Sequence, residues 1–62
     1  MAGNDIAFLS EKRAECRELE RDARLRAENA TMPETKATWT AIADEWRVLA
    51  ASAEELIALI AE

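Results

Sequence analysis

The sequence predicts an all-α protein, an antiparallel two-helix hairpin whose helices span about residues 5–29 and 32–61. Three observations predict it. Alanine accounts for 14 of the 62 residues, whereas glycine and proline occur once each. The helix-breaking residues are concentrated at one place, and apolar residues in the second half recur at helical spacing. Because the chain contains no internal repeat or linker, residues 1–62 are expected to form a single domain.

The first helix is predicted to begin at a cap formed by Asn4 or Asp5 and to end at about Asn29. Its apolar residues form a narrow stripe, and charged residues occupy most other positions. Seven acids and six bases lie in this helix, so it is nearly neutral. Glu20 and Arg24 have the i to i+4 order that stabilises a helix surface.

One turn separates the two helices, between Asn29 and Pro33. Asn29 tolerates the left-handed conformation that ends many helices. Thr31, three residues before Glu34, predicts a capping box at the start of the second helix. Pro33 then falls in the first helical turn, where no backbone N–H is needed. A connection this short makes the helices antiparallel neighbours.

The second helix has the clearest pattern. Its apolar residues follow spacings of 3, 4, 3, 4, 3 and 4, which define a heptad stripe of a and d positions. This stripe is predicted to pack against the first helix. It consists of Trp39, Ile42, Trp46, Leu49, Ala53, Leu56 and Ile60.

Folding the chain back at Thr31 places small residues opposite large ones at three of four levels, an arrangement that fills space well. The predicted facing pairs are Ala23 with Trp39, Cys16 with Trp46, Leu9 with Ala53 and Ile6 with Leu56. The hairpin core is accordingly predicted to consist of Leu9, Cys16, Leu19, Ala23, Trp39, Ile42, Trp46, Leu49 and Leu56.

The second helix has more apolar surface than the first helix can cover. Residues 56–60 are apolar on nearly every side, and the e positions of the heptads are small enough to admit another helix. We therefore expect a homodimer of hairpins, which is a four-helix bundle, although another protein could cover the same surface. The predicted interface consists of Phe8, Ala43, Ala50, Ile57, Leu59 and Ile60.

Charge and composition argue against several classes of function. Thirteen acids against eight bases give a net charge of −5, which opposes binding to nucleic acid or to an anionic membrane surface. No apolar stretch is long enough to span a membrane and no secretory leader is evident, so we expect a cytoplasmic protein. With no histidine and one cysteine, no metal site, cofactor or disulfide framework is expected.

No combination of residues predicts catalysis, because two helices offer no cleft and Cys16 has no histidine to activate it. We expect a non-enzymatic protein that acts through self-association and protein–protein contact, as an adaptor or regulator. The alternative is a redox- or ligand-responsive regulator in which Cys16, flanked by Arg13 and Arg17, is the sensor. A third possibility, an acidic protein that occupies the nucleic-acid site of a partner, rests on net charge alone.

Two segments of the chain, residues 13–19 (RAECREL) and 39–50 (WTAIADEWRVLA), resemble a group of very short helical proteins of alphaproteobacteria. The pattern of that group is R-A-x-x-C-R-x-L, a proline-bearing break and L-A-x-x-W-x-x-L-A. The resemblance covers about residues 10–54. This sequence departs from the pattern at Glu20 and Trp39, has one residue in place of two between Ala14 and Cys16, and has Ile42 in place of the first leucine of the second motif. The resemblance implies a helical hairpin of uncharacterised role.

Overall fold

The computed structural model describes residues 2–62, so Met1, the first residue of the predicted domain, lies outside the described residues. Two helices, α1 (Ala2–Asn29) and α2 (Pro33–Ala61), pack against each other along their length, and no strand occurs among the described residues. The predicted all-α hairpin is therefore confirmed. Its Cα atoms extend over 47 × 14 × 10 Å, which is the thickness of one layer of helices.

The start of α1 precedes the predicted cap. Asn4 and Asp5 lie inside the first turns of the helix, which begins at Ala2. Asp5 stabilises this end because its carboxylate lies near the positive end of the helix dipole. The cap predicted at Asn4 or Asp5 is therefore replaced by a helix that extends further toward the N-terminus.

The turn also differs from its prediction. None of the described non-glycine residues has a positive φ, so Asn29 ends α1 without the left-handed conformation. The N–H of Ala30 donates to the carbonyl of Ala27 at 3.3 Å, which closes the last turn more tightly than an α-helical bond does.

The N-cap of α2 is Met32, and the capping box predicted at Thr31 does not form. Met32 is extended (φ −97°, ψ 132°) and accepts the first helical hydrogen bond from Lys36 at 3.0 Å. Because Pro33 disfavours helical geometry in the residue before it, the helix can start no earlier than Pro33. Thr31 is consequently one residue too early to cap, and α2 has no side-chain cap.

Alanines form the line along which the two helices touch, referred to below as the alanine contact line. It consists of Ala23 and Ala27 of α1 and Ala43, Ala50 and Ala53 of α2, each at most 7% exposed. A methyl side chain lets two helix backbones approach more closely than a leucine does, which increases the dispersion contacts between them. No large side chain among the described residues is fully buried.

The contact face of α2 differs from the predicted a/d stripe. Leu49 and Leu56, predicted for the core, are 51% and 48% exposed, and Leu19 of α1 is 42% exposed. Ala43 and Ala50, predicted to face a second copy, are instead buried within the hairpin. Because alanine allows close approach, the e positions of α2 face α1 in place of the d positions. The observed stripe is Trp39, Ala43, Trp46, Ala50, Ala53, Ile57 and Ile60.

The register of the hairpin also differs from the predicted one. The predicted pairing of Ala23 with Trp39 would bring Arg24 level with Thr38. Instead, Arg24 bonds to Asp44 at 3.2 Å, and Arg17 forms an ion pair with Glu54. Both acids lie further along α2 than the predicted register allows. The register is shifted because alanines of both helices form the contact, whereas the predicted register paired small residues with large ones.

Replacing Ala43 by leucine should destabilise the folded protein by about 1–3 kcal/mol, because a larger side chain overpacks the alanine contact line. Ala43 is 0% exposed, so its neighbours would have to move. Ala37→Leu, at an exposed position of the same helix, is the matched control and should change stability by less than about 0.5 kcal/mol. Urea unfolding followed by far-UV circular dichroism measures both variants. Equal stability of the two would contradict the alanine contact line.

Candidate interaction surface

Charged side chains connect the two helices on one side of the hairpin, referred to below as the polar side. Arg24 bonds to Asp44 across the helices, and Arg17 forms an ion pair with Glu54. All four side chains are at least 41% exposed. These exposed pairs orient the helices more than they stabilise them, because solvent screens most of their attraction.

Arg24 is the centre of the polar side. Its Nε and Nη2 donate to one carboxylate oxygen of Glu20 at 3.0 and 2.8 Å, and Nη2 also donates to Asp44 at 3.2 Å. The hydrogen bond to Glu20 and then the bond to Asp44 raise the pKa of Arg24 above its ordinary value. Arg24 therefore remains charged throughout the pH range in which proteins function. Its bonds to Glu20 and Asp44 are not lost through deprotonation of the arginine.

An open groove of about 470 Å³ runs along the polar side. Alanines and charged side chains line it together: Arg17, Glu20, Arg21, Arg24, Arg47, Ala50, Ala51 and Glu54. Two of the four arginines are paired with the two glutamates, so much of the charge is compensated locally. The groove is therefore lined by a solvated network of ion pairs.

The opposite side of the hairpin, referred to below as the apolar side, bears exposed large hydrophobic residues. On α2, Leu49 and Leu56 lie about 80–100° from the contact face, in the direction away from Asp44 and Glu54. On α1, Leu19 and Phe8 lie in the direction away from Arg17 and Arg24 by the same geometry. The cross-helix ion pairs show that the charged flanks of α1 and α2 lie on the same side of the hairpin. The apolar flanks of the two helices therefore lie together on the opposite side. The apolar side consists of Phe8, Leu19, Ile42, Leu49 and Leu56.

Charged residues border the α1 half of the apolar side. The Lys12 ammonium lies 5.4 Å from the centre of the Phe8 ring, and the Arg26 guanidinium lies 5.0 Å from the centre of the Trp39 ring. Arg26 also bonds to Asp22 at 2.9 Å. These cations partly cover the aromatic rings and leave the leucines open.

The predicted interface residues occupy different environments. Phe8 and Leu59 are 58% and 66% exposed and so are accessible to a partner. Ile57 and Ile60 are half-buried because they lie on the face that α2 turns toward α1. Among the remaining predicted core residues, Ala23 is 2% exposed. The others are half-buried: Leu9, Cys16, Trp39, Ile42 and Trp46.

The exposed residues Leu19, Leu49 and Leu56 are predicted for the core by their size and helical spacing. The sequence nevertheless places small residues, Ala43 and Ala50, at e positions of α2, beside Ala53 at an a position. Small residues at a repeated helical spacing indicate close backbone approach. That signal identifies the e positions as the contact face and the leucines as the surface.

The structure holds no group of three or more carboxylates or thiols positioned to bind a metal ion within residues 2–62. Over the same part of the chain, neither helix has the length and hydropathy needed to cross a membrane. Comparisons with known protein families, curated proteins and solved structures find no match to this chain.

Replacing Arg24 by glutamine should lower the melting temperature slightly at low salt, because the bonds to Glu20 and Asp44 are lost. The difference from the wild type should disappear near 1 M salt, where the screening length falls to about 3 Å. Arg21→Gln, which removes a neighbouring charge from the same groove, is the control for net charge. A salt-independent difference would show that Arg24 stabilises the hairpin by packing.

Cys16 is a free, half-buried thiol, and its reactivity distinguishes a packing residue from a sensor. We expect alkylation to be several-fold slower in the folded protein than in urea, because neighbouring residues cover part of the side chain. Iodoacetamide modification followed by mass spectrometry measures both rates. Native reaction as fast as reaction in urea would favour the redox-responsive alternative.

Proposed function

We propose that this protein is a non-enzymatic helical hairpin that pairs with a second copy through its apolar side to form a four-helix bundle. It then acts through protein–protein contact, as an adaptor or regulator. The observation that supports this proposal is the row of half-exposed leucines, Leu19, Leu49 and Leu56, on one side of a hairpin whose buried core consists of alanines.

The exposed surface area supports pairing. The chain exposes 4707 Å², whereas a compact monomer of 6.9 kDa exposes about 4,000 Å². The hairpin therefore exposes about 700 Å² more than a compact monomer of its mass. A compact pair exposes about 6,600 Å², so two chains would together bury about 2,800 Å², a value typical of permanent homodimers.

The architecture gives the same indication. Stable domains bury the apolar face of each layer against another layer, whereas this hairpin is a single layer with a thickness of 10 Å. A second hairpin laid on the apolar side supplies the missing layer. Because the polar side is already occupied by cross-helix ion pairs, it remains in solvent and leaves the bundle soluble.

Replacing Leu49 and Leu56 by glutamate should convert the dimer into a monomer and reduce its helix content, because four carboxylates would enter the interface of each pair. Multi-angle light scattering gives the mass, and far-UV circular dichroism gives the helix content. A wild-type protein that is monomeric at the same concentration would overturn the proposal.

The matched control introduces the same charge on the polar side, through Thr40→Glu and Ala51→Glu, both at exposed positions of α2. This variant should keep the mass of the wild-type dimer. Dissociation of the control together with the leucine variant would mean that repulsion between acidic chains, and not loss of the apolar contact, separates the copies.

A further inference from the structure

We infer that the two copies stack in one particular way: the two-fold axis runs parallel to the helices, and α2 of each copy lies on α1 of the other. This inference rests on the proposed function and adds the arrangement of the partner. It follows from the relative levels of the leucines along the hairpin and from the charges that border the apolar side.

The cross-helix ion pairs show which residues of α1 and α2 lie at the same level along the hairpin. Arg17 meets Glu54 and Arg24 meets Asp44, so Leu19, between the two arginines, lies at about the level of Leu49, between the two acids. The leucines therefore form one apolar layer in the middle of the hairpin. A second apolar layer, near the open end, contains Phe8 and residues 56–60.

Two symmetric stackings bring the apolar sides together. With the two-fold axis perpendicular to the helices, α2 lies on the partner's α2 and α1 on the partner's α1, and the turn of one copy meets the open end of the other. With the axis parallel to the helices, each α2 lies on the partner's α1, and both turns are at the same end. All helices in direct contact are antiparallel in both stackings, so helix dipoles do not distinguish them.

Charges on α1 oppose the perpendicular axis. Lys12 and Arg26 both lie seven residues from Leu19, on opposite sides of it. An axis at the level of Leu19 would therefore place Lys12 opposite the partner's Arg26. It would likewise place Glu15 within one residue of the level of the partner's Asp22. Like charges brought together in this way are destabilising.

The parallel axis separates Lys12 from the partner's Arg26 and Glu15 from the partner's Asp22. Levels are preserved across it, so Leu19 meets the partner's Leu49, and Phe8 meets the apolar residues 56–60 of the partner. Arg26 and Asp22, which are bonded to each other, come to the level of the partner's α2 near residues 42–46, so Glu45 lies between an opposite charge and a like charge. Residues 31–62 contain six acids and two bases, and this stacking places that acidic segment against the nearly neutral α1.

Disulfide cross-linking distinguishes the two stackings. In a Cys16→Ser background, Leu19→Cys and Leu49→Cys are made as separate proteins, one with an affinity tag, and are then mixed, unfolded, refolded and oxidised. Adjacent bundle helices are about 8–10 Å apart and diagonal ones about 1.4 times further. A disulfide requires Cα atoms within about 7 Å, so we expect on the order of tenfold more cross-linked product from the mixture than from either protein alone.

Three controls make every outcome decisive. Light scattering on each reduced variant first shows whether it is dimeric; a monomeric Cys16→Ser parent would overturn the proposed function itself. Cross-linking of Leu49→Cys or Leu19→Cys alone would show the perpendicular axis and overturn this inference, as would dimers that fail to cross-link in any combination. Thr40→Cys mixed with Leu19→Cys should give no mixed product, because Thr40 lies toward the polar side.

Discussion

The close approach of two helix backbones along the alanine contact line is the constraint on which the rest of this structure depends. Because Ala23, Ala27, Ala43, Ala50 and Ala53 fill the space between the helices, no large side chain can lie there. Trp39 and Trp46 lie on the same stripe of α2 but are only half-buried, and Leu49 and Leu56 are displaced to one flank. One local requirement, small residues at the contact, thus determines which surface is apolar and available.

Much of the fold could be predicted from the sequence, whereas the helix faces could not. Composition, the turn at Pro33 and the apolar spacing are local signals, and they give two helices and their approximate ends. The face of α2 depends on whether its d or its e positions lie against α1, and the size of Leu49 and Leu56 favours the d positions, which is wrong. The register and the polar side follow from that face, so Arg24 and Asp44 could not be paired in advance.

The division into a polar and an apolar side arises because α2 is rotated about its axis so that its e positions, in place of its d positions, face α1. Had the a/d stripe faced α1, the large residues would be inside and the small e positions outside, a surface suited to very close contact with another helix. The observed rotation exchanges these roles. The hairpin uses its small residues for its own helix contact and leaves its large side chains exposed, where they would bury more area under the proposed pairing.

Because the hairpin is only 10 Å thick, the proposed pairing makes its folded fraction depend on the protein concentration. A hairpin with an alanine core has little stability of its own, so under the proposed pairing, folding and association occur together. The unfolding midpoint of such a protein rises with its concentration by mass action. Synthesis rate then determines the fraction of chains that are folded as well as their number. Chains made in small amounts would remain open to proteolysis until they meet a second copy.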